Sequence, residues 1–131
     1  MKSIFYIFTT VLLGTTAVAA HADTGECDKY KTGYDRTYCF AKLFMEADKE
    51  LNTVYTELRE AIKESTKQKL KETQRDWIQY RNTTCEENPG TINVDCSFRV
   101  NQERTEYLRS RLLECKAGSC RTDLIGQRSW K

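Results

Sequence analysis

The stretch Gln74-Arg75-Asp76-Trp77-Ile78-Gln79-Tyr80-Arg81-Asn82-Thr83-Thr84-Cys85 decides how this chain folds. It reads as the last half of a helix, with Trp77 and Ile78 supplying apolar surface. Gln74, Trp77, Arg81 and Cys85 follow one another at helical spacing and share a face. That face mixes an aromatic ring, an amide, a guanidinium and a thiol. Gln74 and Arg81 cost stability there unless another element supplies partners.

Those partners can come from either side of this stretch. Upstream, Thr32 followed by Asp35 reads as a helix N-cap with an acid in the first turn. Phe40, Phe44, Ala47, Leu51, Val54, Leu58 and Ala61 then alternate steps of four and three, the pattern of a packed helical seam. No Gly or Pro interrupts Tyr34 to Glu64, so this first helix is on the order of 45 Å long. Ser65 and Gln68 read as a capping box for the second helix, whose apolar face is Leu70, Trp77 and Ile78. Asn88-Pro89-Gly90 breaks it after Cys85. A third helix resumes near Ile92 or Asn93, with Val94, Phe98, Leu108 and Leu112 apolar and Asn101 and Thr105 as polar seam positions. Gly118 ends it. The expected fold is all-α: a small antiparallel three-helix domain with a long first helix, stapled by disulfides.

An antiparallel hairpin of helices one and two, turning near Thr66, brings Asp48 within reach of Arg81. It also sets Asn52 near Tyr80 and Tyr55 near Trp77. Asp48, Asn52, Tyr55, Gln74, Trp77, Tyr80 and Arg81 are therefore expected to form a structural polar network that fixes helix pairing.

Residues 1–22 read as a secretory signal peptide: Lys2, an apolar run from Ile4 to Leu13, and Ala20-His21-Ala22 before the cut. Residues 23–118 form the helical domain and 119–131 a C-terminal tail. Asp23 to Lys31 reads as irregular. Cleavage removes one charged residue, Lys2, and takes the net charge from +2 to +1. That balance, with acids and bases interleaved, excludes a nucleic-acid footprint, and no stable membrane insertion is expected after cleavage. All six cysteines, Cys27, Cys39, Cys85, Cys96, Cys115 and Cys120, fall in the exported part and read as disulfides. Cys115–Cys120 is the local pair. Cys27–Cys39 with Cys85–Cys96 leads for the rest, and Cys39–Cys85 with Cys27–Cys96 stays open. The sole histidine, His21, lies in the signal, and no CxxC is present. Metal ligation, cofactor binding and histidine-dependent catalysis are therefore not expected. Asp48, the acid nearest apolar surroundings, has Arg81 as its partner, the opposite of a catalytic acid's environment.

Ala47-Asp48-x-x-Leu51-Asn52-x-x-Tyr55-x-x-Leu58, Gln74-x-x-Trp77-x-x-Tyr80-Arg81-x-x-x-Cys85, Cys96 and Thr105-x-x-x-Arg109 together resemble the LprI-type lysozyme-inhibitor domain of exported bacterial proteins. The resemblance spans roughly Cys27 to Leu113. It implies a helical, disulfide-bonded protein of the cell envelope, periplasmic or extracellular, that binds a protein partner, with lysozyme as the specific one. The pair Cys115 and Cys120 and the tail depart from the family's four-cysteine pattern. An immunity-like or stress-related envelope protein with another partner, or a structural envelope protein, are the competing readings. Lysozymes are commonly basic and this chain is slightly basic too, so an inhibitor needs a local acidic feature. Glu86 and Glu87, in the loop beside Cys85, form the candidate partner-binding loop. Tyr30, Tyr34 and Tyr38, with Trp130, are a candidate contact patch, although the N-terminal segment or the tail is expected to cover them.

Overall fold

The computed structural model describes residues 25–131; the signal-peptide reading of residues 1–22 lies outside them. Thr32 caps the long helix α2 (Gly33–Ala61) by accepting a hydrogen bond from the Asp35 amide at 3.0 Å. Ahead of it, the segment read as irregular holds a short helix, α1 (Gly25–Asp28), tied to α2 by Cys27–Cys39. The seam residues Phe40, Ala47, Leu51, Val54 and Leu58 are buried, and the next buried position is Ile62, not Ala61. The chain turns at Ile62 and Lys63, before Thr66, because Ile62 leaves the helix in an extended conformation while its side chain stays in the core.

The following helix α3 (Glu64–Thr84) starts without the expected capping box. Its N-cap is Lys63, which places Ser65 inside the first turn, and Gln68 bonds forward to Glu72. Leu70, Thr73, Gln74 and Trp77 form its buried face, whereas Ile78 is 40 % exposed. Ile78 stands one residue past Trp77, about 100° further round the helix, and so misses the core.

A two-stranded hairpin follows: β1 (Glu86–Asn88) and β2 (Thr91–Ile92), antiparallel, with Asn88 opposite Thr91. Pro89 and Gly90 make its turn, and Gly90 takes φ +82°, which Pro-Gly supplies at the centre of a type II turn. Cys85–Cys96 closes its base. Asn93 then caps α4 (Val94–Lys116), accepting from the Cys96 amide at 2.9 Å. Gly118, at φ +82°, turns the chain out of α4. Cys115–Cys120 bridges that turn, and a last short helix α5 (Thr122–Ile125) docks Ile125 into the core.

The long helices run up, down and up. The ion pairs Glu50–Arg109 and Glu57–Lys116 keep a constant sequence offset, so α2 and α4 are parallel. They also share the largest helix–helix interface, although α3 separates them in the chain. Both bury small residues, Ala47 on α2 and Ser97 and Thr105 on α4, and small side chains let helix axes approach. Leu51, Val54, Leu58, Leu70, Trp77, Leu108, Leu112 and Ile125 make one contiguous core.

Candidate functional site

Arg81 lies on the buried face of α3 and reaches across the bundle. Its Nη1 donates to Asp48 Oδ1 at 3.2 Å and to Asn101 Oδ1 at 3.1 Å. Asn101, fully buried, donates from Nδ2 to the same Asp48 oxygen at 3.1 Å. Asn52 donates to the other Asp48 oxygen at 3.2 Å. The Arg81 guanidinium also bonds Asn82 and lies 5.3 Å from the Trp77 ring centre and 5.5 Å from that of Phe44. One carboxylate on α2 thus ties α3 to α4. The members of this network bond one another, and its Asp48 and Asn52 edge also lines a surface hollow beside Phe44 and Met45.

Gln74 has a different partner. Its Oε1 accepts from Arg104 Nε at 3.0 Å. Arg104 stands on the buried stripe of α4, four residues after Val100 and four before Leu108, and is 2 % exposed. Sequence reasoning missed it. The signal was present in the spacing, since an arginine flanked at i−4 and i+4 by buried apolar residues must itself point inward. Burial pushes its pKa down to about 10, with nearby Tyr107 and then Tyr55 opposing the shift. The guanidinium lies 5.1 Å from the Trp130 ring centre and 5.5 Å from that of Tyr107.

Tyr55 and Tyr80 are half-buried against the core. The Tyr80 ring packs against Trp130 with centroids 5.9 Å apart and planes tilted by 33°. Trp130 is therefore held at the α3–α4 side and takes no part in a patch with Tyr30, Tyr34 and Tyr38. Those three tyrosines are exposed, Tyr34 by 80 %.

Glu86 and Glu87 sit on the exposed hairpin. Glu86 Oε1 accepts from the Gly90 amide at 2.8 Å, which braces the turn, and Glu87 Oε1 accepts from Asn93 Nδ2 at 2.6 Å, which ties the strand to the α4 cap. The Asn93 amide donates to the Cys85 carbonyl at 2.8 Å, beside the disulfide. The acidic loop is thus a braced projection at the end of the bundle where α2 begins, α3 ends and α4 begins. Ile92, 55 % exposed, adds an apolar element to it.

Among the described residues no group of three His, Cys, Asp or Glu side chains is placed to hold a metal ion. No helix there is long and apolar enough to cross a membrane.

Residues 27–108 match the family model described as lysozyme inhibitor LprI. The chain belongs to the LprI family. The match takes in α1 to most of α4, including the Asp48–Arg81–Asn101 network, the hairpin and Arg104. It ends at Leu108, one residue before Arg109, so of the pair Thr105 and Arg109 only Thr105 falls inside the LprI region. Arg109 is a surface residue paired with Glu50 and Glu106, and the arginine that α4 buries within the LprI match is Arg104. Cys115–Cys120 and α5 lie beyond it. Neither the curated proteins nor the solved structures include a match to this chain.

Proposed function

We propose that this protein is an exported, non-enzymatic module that binds and inhibits lysozyme in the periplasm or outside the cell, presenting the hairpin of residues 86–92 to its target. Membership of the LprI family supports the class of activity. Three disulfides fit an oxidising compartment. The observation that carries the choice of element is the bracing of the hairpin. A disulfide at its base, the Glu86 contact to Gly90 and the Glu87 contact to Asn93 hold two carboxylates on a projection that is already ordered. Preorganisation lowers the entropic cost of binding, and a local acidic element suits a cationic cleft even when net charge gives no long-range attraction. The exposed tyrosines Tyr34 and Tyr38, at the same end of the bundle, supply aromatic area of the kind that dominates protein contacts.

The test is a titration of the oxidised protein against a panel of lysozymes, reading peptidoglycan lysis and direct binding together. Stoichiometric, saturable inhibition is expected. Glu86→Gln and Glu87→Gln are the informative variants, because an amide oxygen still accepts the bonds from Gly90 and Asn93 while the charge is gone. The double variant is expected to lose tenfold or more in affinity. Wild-type inhibition by the double variant would move the contact off the hairpin, and no binding to any lysozyme would point to a different protein partner.

A further inference from the structure

Arg104 is a buried cation that no carboxylate of the described residues pairs with. Its Nε is taken by Gln74, and its Nη1 makes only a long contact of 3.4 Å to Ser129 Oγ. Its Nη2 is buried with no hydrogen-bond partner at all. Arg81 has each of its nitrogens answered, whereas Arg104 Nη2, like Arg111 Nε, has no partner. An unsatisfied buried donor on a charged group is costly, and ring faces recover only part of that cost.

Arg104 lines a cavity of about 310 Å³ between α3, α4 and the C-terminal segment, walled by Trp77, Tyr80, Tyr107, Ser129 and Trp130. The Nη1 and Nη2 edge of a guanidinium matches the two oxygens of a carboxylate. The long Ser129 contact is the one a carboxylate would displace. Four aromatic rings suit a flat apolar body behind that carboxylate. Glu103 and Glu106 also line the cavity; their charge disfavours a polyanion and confines a single carboxylate to the Arg104 end.

We propose that this cavity is a binding site for a small monocarboxylate with an apolar body, anchored by Arg104 and covered by the segment carrying Ser129 and Trp130. The site is independent of the hairpin and of lysozyme binding.

The cavity carries its own reporter, since Trp77 and Trp130 are the chain's two tryptophans. The oxidised full chain is titrated at constant ionic strength with sodium benzoate, with benzamide and with sodium sulfate, reading tryptophan emission. A saturable response to benzoate is expected, with benzamide and sulfate at least tenfold weaker. Arg104→Lys keeps the charge but loses the planar fork and is expected to weaken benzoate tenfold or more. Trp130→Ala removes one wall, leaves Trp77 as reporter and is expected to weaken it severalfold; because it touches only the covering segment, it keeps the test open if Arg104→Lys does not fold. Equal affinity for benzamide would reduce the site to an apolar hollow, and equal affinity for sulfate to a general anion patch. No saturable response, or wild-type affinity in both variants, would make Arg104 purely structural. Each of these four results overturns the proposal.

Discussion

Asn101 is fully buried, and its amide group is satisfied from both ends, donating to Asp48 and accepting from Arg81. Asp48→Ala removes the acceptor that both Arg81 and Asn101 share. The main loss is the buried Asn101 donor, since Asp48 itself is part-exposed and screened. The variant is expected to keep the fold and lose about 1–2 kcal/mol, read by urea denaturation under oxidising conditions. An unchanged midpoint would show that the network contributes nothing to stability. Gln74→Leu acts on a more exacting site, because it leaves Arg104 Nε without its one good acceptor. It is expected to cost about 2–3 kcal/mol in the same measurement. With a folded pKa near 10, Arg104 remains charged at neutral pH. Burial lowers that pKa below its unfolded value, so the charged form opposes folding at every pH below about 10 and the penalty lifts only above it. The Gln74→Leu deficit is therefore expected to be flat between about pH 5 and pH 9.

At the scale of elements, the segment after Gly118 behaves as part of the core. Ile125 on α5 is fully buried, the Tyr107 hydroxyl donates to the Leu124 carbonyl at 2.6 Å, and Arg128 pairs with Asp76 on α3 at 3.0 Å. Ile125→Ala is expected to cost about 2–4 kcal/mol, the range for emptying a fully buried aliphatic site, and to expose the segment to limited proteolysis. Stability and protease resistance both at wild-type level would show that the docking is energetically idle. The short α5 gave little signal in the sequence because a four-residue helix has no period to read. What holds it is the bundle, not its own propensity. The same reason accounts for α1, which Cys27–Cys39 pins to α2. The hairpin differs: Pro89-Gly90 announces its turn locally, and the contacts of Glu86 and Glu87 are made within a few residues of it.

The whole molecule is small, and a core of this size leaves a narrow margin for stability. Reduction of the three disulfides is therefore expected to remove on the order of 5 kcal/mol, seen as a large fall in the urea midpoint. Near-equal midpoints for reduced and oxidised protein would show that the helices hold themselves. Much of this architecture was legible in the residues. The four-three alternation from Phe40 to Leu58 marked α2, Asn88-Pro89-Gly90 marked the turn, and the shared face of Gln74, Trp77, Arg81 and Cys85 showed that α3 needed polar partners. These are local signals, carried by residues within a turn or two of one another. The tertiary structure alone decided that α2 lies closest to α4, that Gln74 belongs to Arg104, and that Trp130 closes over that arginine. Each of these joins residues at least 25 positions apart, and no helical or strand period links such positions. The pairing follows from which small and polar side chains fit when all three helices pack at once.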